Sequence, residues 1–148
     1  MASSLGASRR PEVWAVIDTS VYIGHWERGL YADKLDEVRK AFVVRHSAVV
    51  LSELRRGART SQAARTVARL HELASTIWEP TATEWWEAGR IIQTVGDAHD
   101  WDRNKRRDFQ NDALIALTAR GHGAAVVTAN REDFEILGKR LGVAILIV

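Results

Sequence analysis

Val13–Trp14–Ala15–Val16–Ile17–Asp18–Thr19–Ser20 decides how the rest of the chain reads. The apolar run is short, rich in β-branched residues, and stops at an acid followed by two hydroxyls. That length and composition predict a strand buried on both faces. Thr19 or Ser20 can cap a following helix, which continues from Tyr22 to Arg28.

The same alternation continues outward. Ala32 to Lys40 predicts a helix with Leu35 and Val38 on one face, and Phe42–Val44 a second short strand. Ser47 is placed to cap a helix ending at Gly57, and Ser61 to Thr76 carries apolar residues at helical spacing. Ile77 to Pro80 reads as extended, and a helix capped by Thr83 runs to Gly96. The charged stretch Asp97 to Arg107 predicts a loop. Phe109 to Arg120 predicts a helix, Ala124 to Thr128 a third buried strand, Asp133 to Leu141 a helix and Val143 to Val148 a last strand. Strands alternating with helices predict an α/β/α sandwich around a mainly parallel sheet.

Composition bounds the chemistry. The chain has 148 residues, enough for one domain, and no repeat or composition shift marks a second. Residues 1–11 are expected to be a disordered lead-in, and 12–148 one domain. The absence of Cys excludes disulfides, thiolate metal sites and a cysteine nucleophile. No apolar stretch approaches the roughly 20 residues of a membrane span, and no signal-peptide pattern opens the chain, so a cytoplasmic location is expected. The net charge of +2 comes from 21 basic and 19 acidic residues.

In open α/β sheets, sites form beyond the carboxyl ends of the strands. Asp18 ends the first strand, while Thr128, Asn130 and Asp133 lie at or after the third. Glu53 and Asp112 each sit within an apolar helical run, where an unpaired acid is costly to bury. Each acid alone has an ordinary reading: a turn for Asp18, a solvated face for Glu53, a favourable helix start for Asp112, a cap for Asp133. Together they would repel one another, and a divalent cation would relieve that conflict. An all-oxygen donor set selects Mg²⁺ or Mn²⁺ over softer metals.

The pieces Ile17–Asp18–Thr19–Ser20–Val21, Leu51–Ser52–Glu53–Leu54–Arg55–Arg56–Gly57, Asn111–Asp112–Ala113–Leu114–Ile115–Ala116 and Thr128–Ala129–Asn130–Arg131–Glu132–Asp133–Phe134 follow one another in order. In order, spacing and context they resemble a PIN domain, most closely the VapC-type toxins of bacterial toxin–antitoxin pairs. The resemblance covers the chain after residue 11. It implies a Mg²⁺-dependent endoribonuclease, with Mn²⁺ as a substitute, and aligns Asp18, Glu53 and Asp112 with three recurrent acids. Many members carry Asp where Asn130 stands; Asp133 is favoured here as the fourth acid, with Asn130 and Thr128 as polar helpers. Ser20 matches a hydroxyl position that lines the pocket. The resemblance also implies a small antitoxin partner, a homodimer and toxin–antitoxin hetero-oligomers.

The basic residues are unevenly spread. Five Arg lie between Glu53 and Arg69, and Arg103 to Arg107 adds four positive charges before Asp112. Arg55, Arg56, Arg59, Arg106 and Arg107 are the candidates for RNA phosphate, since Arg binds phosphate bidentately. Ordinary solvated helix faces are the competing reading. Trp26 and Trp101 are placed near the rim as candidate base-stacking residues; Trp85 and Trp86 are adjacent and cannot both face one core direction, so plain partial exposure is expected, with an interface for one of them as the competing reading. His25 and His99 are expected in structural or surface roles. No second Asp follows Asp18 by two residues, so an aspartyl-phosphate phosphatase is poorly matched, as are a receiver domain and a Walker-type nucleotide site. A non-catalytic PIN-like RNA- or protein-binding module is the alternative function.

Overall fold

The computed structural model describes residues 13–148. The expected lead-in at 1–11 lies outside the described residues. Five strands build one sheet: β1 (Trp14–Ile17), β2 (Val43–Ser47), β3 (Ile77–Trp78), β4 (Ala125–Thr128) and β5 (Ile145–Ile147). Seven helices separate them: α1 (Thr19–Arg28), α2 (Ala32–Ala41), α3 (Ala48–Gly57), α4 (Ser61–Leu73), α5 (Ala82–Ala98), α6 (Arg103–Gly121) and α7 (Arg131–Leu141).

The spatial order is β3-β2-β1-β4-β5, and every neighbouring pair is parallel. From β1 the chain leaves toward β2 and β3; from β4 it leaves the other way toward β5. β1 and β4 therefore flank the point where the strand order reverses, the position at which open α/β sheets form their crevice. The register Ala15↔Ala125, Val16↔Val126, Ile17↔Val127 brings the ends of these two strands level. Asp18 N–H then donates to Val127 O at 2.8 Å, extending the ladder by one bond.

Burial explains the apolar runs. Ala15, Val16 and Ile17 are buried, as are Val126 and Val127. Helix α6 is the central helix: Phe109 and Ala113 to Leu117 are fully buried in one continuous core. Phe134 and Leu137 of α7 join the same core.

Several expected boundaries move, each for a local reason. Thr81, not Thr83, caps α5: its hydroxyl accepts from Glu84 N–H at 3.1 Å, and Glu84 Oε1 accepts from Thr81 N–H at 2.9 Å, a reciprocal box that starts the helix earlier. Ser47 caps α3 as expected, accepting from the N–H groups of Val49 and Val50. Neither Thr19 nor Ser20 caps α1; Asp18 holds that position, and both hydroxyls turn to carboxylates instead.

The largest correction concerns 97–107, which is a loop only at 99–102. Helix α5 runs to Ala98 and α6 begins at Arg103, so four residues connect them. Asp102 caps α6, its Oδ1 accepting from Lys105 N–H at 2.8 Å. Arg106 crosses back onto α5: Nε donates to Trp101 O and Nη1 to Asp97, both at 2.9 Å. Its guanidinium lies where a Cβ on Gly96 would meet it at 2.8 Å, so glycine there permits the close approach. The charges that read as a loop are the solvated face of helical turns.

Candidate active site

Four elements deliver acids to the crevice between β1 and β4: the end of β1, α3, α6 and α7. The strand end places Asp18, which is 3% exposed although it carries a carboxylate. Its Oδ2 accepts from Ser20 Oγ and Thr128 Oγ1, both at 2.8 Å. Thr128 ends β4 and also accepts from Asn130 N–H at 3.0 Å, while Ser20 Oγ accepts from Ala129 N–H at 3.1 Å. The ends of β1 and β4 are thereby tied through two hydroxyls, and the Asp18 carboxylate has a fixed rotamer. Burial nevertheless pushes its pKa above the ordinary carboxylate value, against the pull of those hydrogen bonds.

Asp112 stands on α6 within the apolar run that plants this helix in the core. Its pKa is pushed up to about 8, first by burial and then by repulsion from Asp18, Asp133 and Glu53. The four acids are thus close enough to feel one another's charge. Asn130 Nδ2 donates to Asp112 Oδ2 at 3.3 Å and to Asp133 Oδ2 at 3.2 Å, bridging α6 and α7. Asn130 also caps α7, which begins at Arg131 rather than at Asp133. Glu53 comes from α3 and accepts from Thr19 Oγ1 at 2.7 Å.

Asp133 is held most firmly. Lys105 Nζ donates to its Oδ1 at 2.8 Å and its Oδ2 at 2.9 Å. Sequence reasoning missed Lys105 because it placed that residue in a loop. The signals were present: Asp102 precedes it at capping distance, and Lys105 and Asp112 are seven residues apart, two helical turns on one face. Thr19 was likewise read only as a cap.

As the side chains stand, no group of three His, Asp or Glu among the described residues is disposed to hold a metal ion. The donor chemistry still suits a hard divalent cation: the donors are carboxylates with hydroxyls bonded to them, and the repulsion among the acids calls for positive charge. Holding such an ion would require Asp133 to give up part of its pairing with Lys105.

The proposed RNA contacts divide. Arg55, Arg56 and Arg59 are exposed on and after α3. Arg59 lines a groove of about 610 Å³ together with Ile23, Trp26 and Glu53. Arg107 is exposed and bonds Asn104 Oδ1 at 3.1 Å. Arg106 donates to Asp97 and to Trp101 O, which straps α6 to α5. Trp26 is 38% exposed beside Glu53, whereas Trp101 is partly buried against Phe109 and the Lys105 ammonium. His25 bonds Leu30 O within its own turn, and His99 stacks on Trp101. Trp85 and Trp86 are both exposed, at 50% and 85%.

Comparison with known proteins places this arrangement. Comparison with the curated proteins gave no match. Among solved structures, VapBC-1 from nontypeable Haemophilus influenzae superposes with a TM-score of 0.68 at 20% identity, over 91% of this chain and 98% of that one. VapBC2 from Rickettsia felis, bound to a DNA fragment from its promoter, gives 0.63 at 20%, over 92% and 99%. VapBC-5 from Mycobacterium tuberculosis, a member of the VapBC family of toxin–antitoxin systems, gives 0.59 at 24%, over 92% and 99%. At these identities the likeness is one of fold. The PIN domain model matches residues 15–139, from the first strand to the last helix. With that match covering most of the sequence and all four acids within it, the chain belongs to the PIN domain family.

Proposed function

We propose that this chain is a Mg²⁺-dependent endoribonuclease of the VapC toxin type, with Mn²⁺ as a substitute, acting on cellular RNA in the cytoplasm. The observation that carries the reading is the gathering of Asp18, Glu53, Asp112 and Asp133 at the reversal point of the sheet, with Asp112 raised by burial and then by the other three. A bound divalent ion would supply an activated water and neutralise charge on the scissile phosphodiester. Asp18, Glu53, Asp112 and Asp133 would hold it. Ser20 and Thr128 fix Asp18 so that it cannot swing away, and Thr19 does the same for Glu53. Asn130 sets the distance between Asp112 and Asp133. Arg55, Arg56, Arg59 and Arg107 supply salt-sensitive attraction for the RNA backbone.

A small antitoxin and association into homodimers or hetero-oligomers belong to the same proposal, supported by the VapBC fold likeness. One observation favours the alternative of a non-catalytic binding module: Asp133 is neutralised by Lys105, and no three acids are preassembled. The test is cleavage of total RNA by purified protein with Mg²⁺ or Mn²⁺, with chelator and with Asp18→Asn. Cleavage that needs the ion and falls by more than about a hundredfold in Asp18→Asn is expected. Intact RNA with either ion, or full activity in Asp18→Asn, refutes the nuclease reading. Mapping RNA 5′ ends after induction, wild type against Asp18→Asn, then identifies the substrate.

A further inference from the structure

Lys105 stands apart from every other basic residue near the crevice. Among the described residues it is the one basic side chain that bonds any of the four acids. Its ammonium contacts both oxygens of Asp133, whose side chain is 9% exposed, while its own side chain is 35% exposed. The ring of Trp101 lies 5.0 Å from the ammonium and that of Phe109 5.9 Å, so aromatic faces flank it. Helix α6 presents Lys105 and Asp112 on one face, two turns apart. Asn130 links the Asp133 carboxylate to Asp112. The ammonium is therefore part of one continuous polar network with the crevice acids.

We infer that Lys105 is a built-in cation of the acid crevice, holding Asp133 in the ion-free protein and competing with a divalent ion for that carboxylate. This rests on the metal-site reading above. An ammonium carries one charge and donates only hydrogen bonds; a divalent ion needs the same oxygen lone pairs at shorter range. Oδ2 of Asp133 already accepts from both Lys105 and Asn130, and Oδ1 accepts from Lys105. For Asp133 to ligate an ion, it must exchange part of this set. Lys105 is thus a positioning residue, and it sets the ion concentration at which the site fills.

The direction of the effect separates this role from a merely structural one. A structural lysine, once removed, loosens the site and weakens ion binding. A competing lysine, once removed, strengthens it. Titration calorimetry with Mn²⁺ alone, without RNA, reads the difference on wild type, Lys105→Met, Lys105→Gln, Lys105→Arg and Asp112→Asn. The expectation is Mn²⁺ binding tightened by about tenfold or more in Lys105→Met and Lys105→Gln, the scale on which groups contacting ligands alter metal affinity. Lys105→Arg retains a cation that can pair with Asp133 and stays near wild type. In the wild-type protein, the Lys105 side-chain ammonium resonance shifts as Mg²⁺ fills the site, a readout independent of how well any variant folds. Unchanged or weaker Mn²⁺ binding in both neutral variants, with binding lost in Asp112→Asn, overturns the role of Lys105 and leaves the metal site standing. An ammonium resonance that stays put while Mg²⁺ binds overturns it too. Absence of Mn²⁺ binding in wild type and in both neutral variants overturns the metal site and this inference together.

Discussion

Replacing Asp112 with Asn changes how the ion-free protein responds to pH. In the folded chain its carboxyl is pushed up to about 8 from 3.8. Between those values the native state keeps a proton that the unfolded state has released. Stability therefore falls as pH rises through this window, by at most about 1.4 kcal/mol per pH unit from this group. From pH 5 to pH 7 the loss approaches roughly 3 kcal/mol, or ~6–12 °C in Tm for a chain of this size. Asp18, also raised by burial, adds a slope of the same sign. Asn keeps the shape and a hydrogen-bonding amide but neither titrates nor repels. Asp112→Asn should consequently melt at a less pH-dependent temperature and exceed wild type at pH 7 to 8. Scanning calorimetry in chelator, at half-unit steps from pH 5 to 8, measures both slopes. Saturating Mn²⁺ should flatten the wild-type profile as well, because proton and cation compete for one carboxylate. Parallel profiles for wild type and Asp112→Asn in chelator would refute the claim that folded Asp112 keeps its proton across this window.

Thr128→Val removes one of the two hydroxyls that fix Asp18 and the acceptor for Asn130 N–H. Cleavage should drop about ten- to hundredfold with KM little changed, and Thr128→Ser should restore most of it; unaltered kcat in Thr128→Val would show that Asp18 needs no such restraint. Phe134→Ala empties a fully buried ring position on α7 beneath Asp133 in sequence. Urea unfolding should report a loss of about 3–5 kcal/mol with the far-UV spectrum of the folded state retained.

How much was legible in the sequence differs between core and crevice. Strands β1 and β4 were readable because burial on both faces leaves an apolar run that period alone detects. Asp18 and Thr128 were readable for the related reason that a parallel sheet delivers strand ends to one rim. The start of α6 was not readable. Its first two turns are charged and solvated, so they carry no apolar stripe; the Asp102 cap, the Arg106 bonds to Trp101 O and Asp97, and the Lys105–Asp133 pair tie them down instead. The Arg106 bonds to Asp97 and Trp101 O were accordingly invisible in the sequence. Trp85 and Trp86 are exposed, as the sequence favoured. Adjacent helix positions diverge by about 100°, yet both rings lie exposed, because α5 turns its opposite face, Ala88, Ile91 and Val95, to the core.

By itself, the sequence determined the layer order and which residue types could carry the chemistry. Apolar periodicity is local, and it places elements without reference to their neighbours. It also determined the family pattern that the PIN domain match confirms. Only the tertiary structure decided which side chains meet. Lys105 and Asp133 are 28 residues apart and come from different helices. Asp18 and Thr128 are 110 apart and come from adjacent parallel strands. Such pairings depend on how α6 and α7 pack against the sheet, a contact between distant segments that no local pattern encodes. The charge balance inside the crevice therefore belongs to the fold. Four acids can be counted from the sequence, but the ammonium that answers one of them appears only when the helices are in place.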